Sequence, residues 1–268
     1  MTLRKYLADI GIIGGTGMYD SGLISSQEKI KIHTPYGSTS DEITIGQCKG
    51  ISVAFLPRHG RSHTIPPHLV NSRANIWALK SLGVSRIIAP SAVGSLQQTL
   101  RPGNIVIPNQ FLDFTKNRKY TFYNGGQVCH ISVADPFCKE LSQLAYYSAK
   151  KLGYDVHKNK TYVCIEGPRF STKAESLFFR EFLHADVIGM TVIPECVLAR
   201  EAEICYVSIS TVTDYDVWSE KPVSSKEIID VLKKNVEMIT NLISDMLPVI
   251  PNSRNNCECG NALEGAIV

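Results

Sequence analysis

No stretch of the 268 residues approaches the ~20 consecutive apolar positions that a membrane-spanning helix needs. Charge of one sign is also scarce. Twenty-eight basic residues face 25 acidic ones, a net charge of +3, and no Lys/Arg block stands out. The chain therefore lacks the electrostatic footprint of a nucleic-acid or membrane-surface protein. Paired cysteines are nearly missing: of eight, only "CEC" (Cys257 and Cys259) forms a sequence pair, without the second pair that a zinc site would need. These read as thiols or a local disulfide, and no metal is expected. The opening "MTLRKYLADIGIIGGTG" has two early positive charges but only a short apolar run that ends in glycines. That is not a secretory signal, and the expected compartment is the cytoplasm.

What is present is ordinary globular composition, 44% hydrophobic and 20% charged. Short β-branched runs ("DIGII", "ISVAFL", "RIIA", "NIVI", "TYVCI", "DVIGM", "ICYVSIS") alternate with helix-length segments such as "NSRANIWALKSLG" and "VIPECVLAREAE". This alternation predicts an α/β fold with a largely parallel central sheet. The clearest helix opens with a capping box, Ser224 with Glu227. It then places Ile228, Leu232, Val236, Ile239, Ile243 and Met246 on one face. The polar tail "NSRNNCECGNALEGAIV" reads as an extension, free to move or to bind a partner.

In sheets of this kind ligands gather beyond the carboxyl ends of the strands. Polar or glycine-rich insertions follow six of the apolar runs: "GGTG", "RHG", "SAVGS", "EGPRFS", "MT" and "TDYD". "GGTG" is not a dinucleotide fingerprint, because Asp20 stands where the third glycine belongs. No Walker lysine pattern occurs. Thr16, Arg58, His59, Ser91 and Thr191 together make a cationic, donor-rich cup for one phosphate, and orthophosphate is the economical ligand. His59, His63 and His68 also raise a metal site, but Gly60 and two prolines argue against one shared helical face. Phe170 can stack on a ring and Met190 can lie under a sugar. Asp214 and Asp216 suit a base with N–H donors, a charged carboxylate accepting from an amine and a protonated one donating to a ring nitrogen. Taken alone, "DYD" is equally a helix cap with a solvated neighbour.

These motifs resemble the trimeric purine nucleoside phosphorylase family, most closely its 5'-methylthioadenosine phosphorylase branch. The similarity runs from "IGIIGGTG" through "LPRHGRSHTIPPHLVNSRANIWALKSLGVSRIIAPSAVGSL" to "IEGPRFST", "GMTVIPE" and "TDYD". The resemblance implies a twisted mixed sheet, partly closed into a barrel and flanked by helices, with residues 1–250 as the phosphorylase domain and 251–268 as the tail. It implies phosphate contacts from Thr16, Arg58, His59, Ser91, the Ala92 backbone and Thr191. Met190 would meet the ribose, while Phe170 and Ser171 line the base pocket. Asp214 and Asp216 would read adenine, with a protonated Asp214 as the catalytic acid. His130 would reach a neighbouring subunit's active site, and Val223 and Ile228 would line the 5' pocket. Ser91 replaces a frequent threonine, and Ser225 is small and polar where an apolar contact is expected. The implied reaction is phosphorolysis of 5'-methylthioadenosine, with orthophosphate as co-substrate and no cofactor, by a homotrimer or dimer of trimers. A purine nucleoside phosphorylase of broad or 6-oxopurine preference shares the same phosphate residues and stays open as the alternative.

Overall fold

The structure, a computed structural model, describes residues 7–15, 17–18, 22–219, 225–254 and 256–268. Eleven strands are present among them. The first six are β1 (Ile10–Gly14), β2 (Ser25–Ile30), β3 (His33–Thr34), β4 (Gly37–Ser38), β5 (Ile43–Cys48) and β6 (Ile51–Pro57). They are followed by β7 (Arg86–Ser95), β8 (Ile105–Phe114), β9 (Val156–Ile165), β10 (Val187–Gly189) and β11 (Cys205–Asp214). The helices are α1 (Ser72–Ser81), α2 (Lys139–Lys151), α3 (Lys173–Leu177), α4 (Val192–Glu201) and α5 (Ser225–Met246). No helix among the described residues is long and apolar enough to cross a membrane.

Nine strands form one sheet in the order β10-β9-β8-β11-β7-β1-β6-β5-β2, and β10 also pairs with β7. That extra pairing closes β7, β11, β8, β9 and β10 into a five-stranded barrel, from which β1, β6, β5 and β2 extend as an open wing. The sheet is mixed, as the resemblance implied, with β1–β6, β1–β7, β11–β7, β8–β9 and β10–β9 parallel. β10–β7, β11–β8, β5–β6 and β2–β5 are antiparallel, the β5–β6 pair through a short hairpin and β10–β7 through barrel closure.

The long apolar runs are explained by burial on both faces. Along β1, Ile13 packs with Leu56, Ile76, Leu79 and Ile87 under α1 and α4. Its neighbour Ile12 turns the other way, toward Phe55, Ile88, Leu242 and Ile243 under α2 and α5. Each fully buried aliphatic side chain contributes about 1.5–3 kcal/mol, and cutting Leu242 to Ala would cost about 2–5 kcal/mol.

Local signals set the helix ends. Asn71 caps α1, its side chain accepting the Ala74 N–H at 3.2 Å. Thr172 and Glu175 form a reciprocal capping box at α3. The Ser224 cap of α5 lies outside the described residues. The tail does not hang free. Arg86 donates to the Ser253 carbonyl at 2.6 Å, Cys259 is buried, and the last residues pair with Val128–His130 through backbone bonds of 2.8–3.1 Å.

Candidate active site

A cavity of about 310 Å³ opens beyond the carboxyl ends of β6, β7, β10 and β11. Arg58 and His59 reach it from the turn after β6, and Ser91, Ala92 and Gly94 from β7. Met190 and Thr191 follow β10, and Asp214 and Asp216 end β11. Phe170 and Ser171 complete one wall from the loop after β9. The structure thus brings together ten of the residues singled out in the sequence. Thr16 and Val223 lie outside the described residues, as does the side chain of Ile228. His130 sits elsewhere on the surface, exposed, its N–H bound to the Ala266 carbonyl at 2.8 Å.

Arg58 is 2% exposed, and its guanidinium is fixed on three sides. Nε and Nη2 donate to the two oxygens of Glu195 at 2.6 and 3.1 Å, and Nη1 donates to the Pro90 carbonyl at 3.0 Å. Burial opposes its charge, but Glu195 outweighs burial and holds the guanidinium above its usual range. Tyr206 donates its hydroxyl to the same carboxylate at 2.9 Å.

His59 lies 2.9 Å from the Ile65 carbonyl through Nδ1. A carbonyl only accepts, so Nδ1 carries the hydrogen and Nε2 is left as an acceptor. Burial, then the Arg58 charge, pushes the imidazole down to about 4. It is neutral at pH 7, and the charge of the cup comes from Arg58. Thr191 is the N-cap of α4, yet its hydroxyl makes no bond to the first helical amides.

The spacing of "DYD" has a local cause. The β11–β7 register slips between Val212 and Asp214, a bulge that turns Asp214 toward the cavity. Its Oδ2 accepts from the Thr213 hydroxyl at 2.7 Å and its Oδ1 from the Asp216 N–H at 2.8 Å. The second contact is an Asx turn, which bends the chain and returns the second carboxylate to the same wall. Asp216 in turn accepts from the hydroxyls of Ser171 and Ser176. Burial raises the Asp216 carboxyl, the serine donors oppose that rise, and the neighbouring Asp214 charge adds to it. Gly94, paired with Asp214 across the sheet, leaves the space this needs. A Cβ there would stand 3.1 Å from Asp214 Oδ1.

Several contributors escaped the sequence reading. Glu195 lies in the quoted "GMTVIPE", but its partner is 137 positions away. Arg118 donates to the carbonyls of Ile165, Glu166, Met190 and Ile193, tying the loops after β9 and β10 together. Among the described residues, Met18, Leu232, Val236 and Ile239 form an apolar wall of the cavity. The heptad-like face of α5 was the available signal.

A closed five-stranded barrel thus carries, at one rim, an arginine suited to an anion and two carboxylates. The chain belongs to the phosphorylase superfamily, whose profile it matches over residues 9–248. It is 60% identical over 258 residues to the S-methyl-5'-thioadenosine phosphorylase of Nitrosopumilus maritimus, covering 96% of this chain and 97% of that one. The enzyme of the same name from Pyrococcus abyssi is 57% identical, with 97% and 99% covered. A crystal structure of methylthioadenosine phosphorylase from an antarctic soil metagenomic library superposes with a TM-score of 0.93 at 45% identity, covering 98% of this chain and 93% of that chain. The Schistosoma mansoni methylthioadenosine phosphorylase in complex with adenine gives 0.89 at 35% identity, with 97% of each chain covered.

Proposed function

We propose that this chain is a pentosyltransferase that cleaves 5'-methylthioadenosine with orthophosphate, giving adenine and 5-methylthioribose 1-phosphate for methionine and purine salvage. The observation that carries the reading is one cavity that holds both Arg58 with the β7 turn and the Asp214/Asp216 pair. Likeness to relatives of 53–60% identity over nearly the whole chain supports the choice of nucleoside.

In this reading phosphate sits on Arg58, the Ser91 hydroxyl, the Ala92 backbone and Thr191, with Thr16 completing the turn. His59 Nε2, an acceptor, takes a hydrogen from the phosphate or from a sugar hydroxyl. Met190 lies against the ribose, and Phe170 and Ser171 against the base. As the glycosidic bond stretches, the ribosyl carbon gains positive charge, which the phosphate on the opposite face stabilises. Adenine leaves with growing negative charge, and Asp214, which takes up a proton from solvent as the nucleoside binds, passes it to N7 and neutralises that charge. Asp216, anchored by two serine hydroxyls, accepts from the exocyclic amine. The chemistry is complete with phosphate as co-substrate and uses no cofactor.

By the resemblance the chain self-associates as a trimer or dimer of trimers, and Phe182, 76% exposed, offers an apolar contact for a neighbour. His130 would then serve a neighbour's cavity, and the enzyme would work in the cytoplasm with no nucleic-acid or membrane partner. Residues 1–250 form the catalytic domain in this reading, and 251–268 an appended tail.

The test is incubation with 5'-methylthioadenosine, with and without phosphate, and with inosine in parallel. Adenine released only with phosphate is expected. Hypoxanthine from inosine alone would overturn the assignment of the aspartates, and base release without phosphate would overturn phosphorolysis.

A further inference from the structure

Within and beside the apolar core under α2 and α5, four cysteines from three parts of the chain converge. Cys138 is the N-cap of α2, Cys205 begins β11, and Cys257 and Cys259 come from the tail. Their sulfur atoms all lie within 4.8 Å of one another, with Cys205 and Cys257 at 3.4 Å, and three of the four residues are buried. The pair that "CEC" lacks in sequence is therefore supplied by the fold.

We propose that these four thiolates bind one zinc ion as a closed structural site. A tetrahedral Zn–S4 centre with bonds of about 2.3 Å has sulfur–sulfur edges of about 3.8 Å, which the cluster brackets before any ion enters. The donor set is soft and contains no oxygen ligand, which selects zinc over magnesium or calcium. Binding is redox-neutral: four S–H bonds release four protons to solvent as four Zn–S bonds form. The resulting dianionic centre has a cation beside it. Arg200 Nη1 lies 3.9 Å from Cys259 Sγ, and its Nε is fixed by the Ser132 carbonyl at 2.9 Å. Such an outer contact orients and stabilises thiolate ligands.

The ion would staple the tail to the body at the point where the chain turns toward residues 266–268, which pair with Val128–His130. It takes no part in phosphorolysis, so its test is independent of that reading.

Protein purified under reducing conditions without chelator is analysed for metal by plasma mass spectrometry, and about one zinc per chain is expected. Modifying the thiols with a mercurial, in the presence of a chromogenic chelator, should release that zinc in step with four thiols. The Cys257→Ser/Cys259→Ser variant should hold none, and trypsin should cut its tail at Arg254 faster. The mercurial titration is read on the unaltered protein, so the result stands even where the variant misfolds. Zinc far below stoichiometric overturns the site, whether the thiols are then found free or joined as disulfides. Zinc retained at full stoichiometry in the double variant overturns the ligand assignment.

Discussion

Replacing Glu195 by Gln perturbs the cavity without touching its lining. The carboxylate is 1% exposed and holds Arg58 through two charge-assisted bonds of 2.6 and 3.1 Å, with Tyr206 on the same oxygen at 2.9 Å. A glutamine oxygen can keep the Nε contact, but its amide N–H2 then faces the Arg58 Nη2 and Tyr206 O–H donors. Arg58 is left as a buried charge without its counter-charge. Breaking one side of such a pair costs about 3–5 kcal/mol, and the freed guanidinium loses the orientation that serves phosphate. Urea unfolding at fixed protein concentration, followed by tryptophan fluorescence, reads the first effect. Adenine release with phosphate varied at saturating nucleoside reads the second, and phosphate KM should rise about tenfold or more for ~1.4 kcal/mol of lost contact. The pair Arg58→Met/Glu195→Met separates the two, since apolar replacement restores stability while phosphate KM stays high. A Glu195→Gln enzyme with the parent urea midpoint and the parent phosphate KM would refute the reasoning.

Arg58→Ala should raise the phosphate KM far more than the nucleoside KM; equal shifts in steady-state kinetics would remove Arg58 from the anion site. Asp214→Asn should cut turnover of 6-aminopurine nucleosides, because an amide cannot pass a proton to N7, and Asp216→Asn should move preference toward inosine, because an amide can donate to a 6-oxo group where a carboxylate meets it lone pair to lone pair. Unchanged kinetics with both substrates in either variant would reject that residue's role. His59, held down at about 4 by burial against about 6.5 unfolded, makes the unfolded chain bind more protons between those values. Stability is therefore full above pH 6.5 and falls as pH drops toward 4, by about 3 kcal/mol. Thermal unfolding of His59→Gln should show that much less acid sensitivity, and an identical pH profile would contradict the buried neutral imidazole.

The strand–helix alternation and the six strand exits were legible because each is a local pattern of apolar run followed by polar turn. Arg58, Ser91, Met190 and Asp214 were found this way, each from its own few neighbours. What stayed hidden depends on contacts between distant segments. Glu195 reads as an ordinary first-turn helix acid until Arg58 is placed against it. Arg118 sits in a polar loop with nothing local to mark its four carbonyl partners. The alternation did not show the barrel closure through β10–β7, because that is set by pairing between distant strands rather than by periodicity. Likewise the tail looked free because its anchors, Arg86 and the Val128–His130 segment, lie far upstream.

The guanidinium at the floor of the cavity arrives with its own counter-charge, and the imidazole beside it is uncharged. An anion held there is gripped by aimed hydrogens and dipoles more than by a surplus of positive charge. Ionic strength screens long-range attraction between exposed charges and leaves short buried contacts largely alone. Phosphate affinity should then change little as salt is raised, while sulfate competes by shape. The same balance loosens the hold on the sugar phosphate product, whose release does not have to pull a dianion away from an unmatched cation.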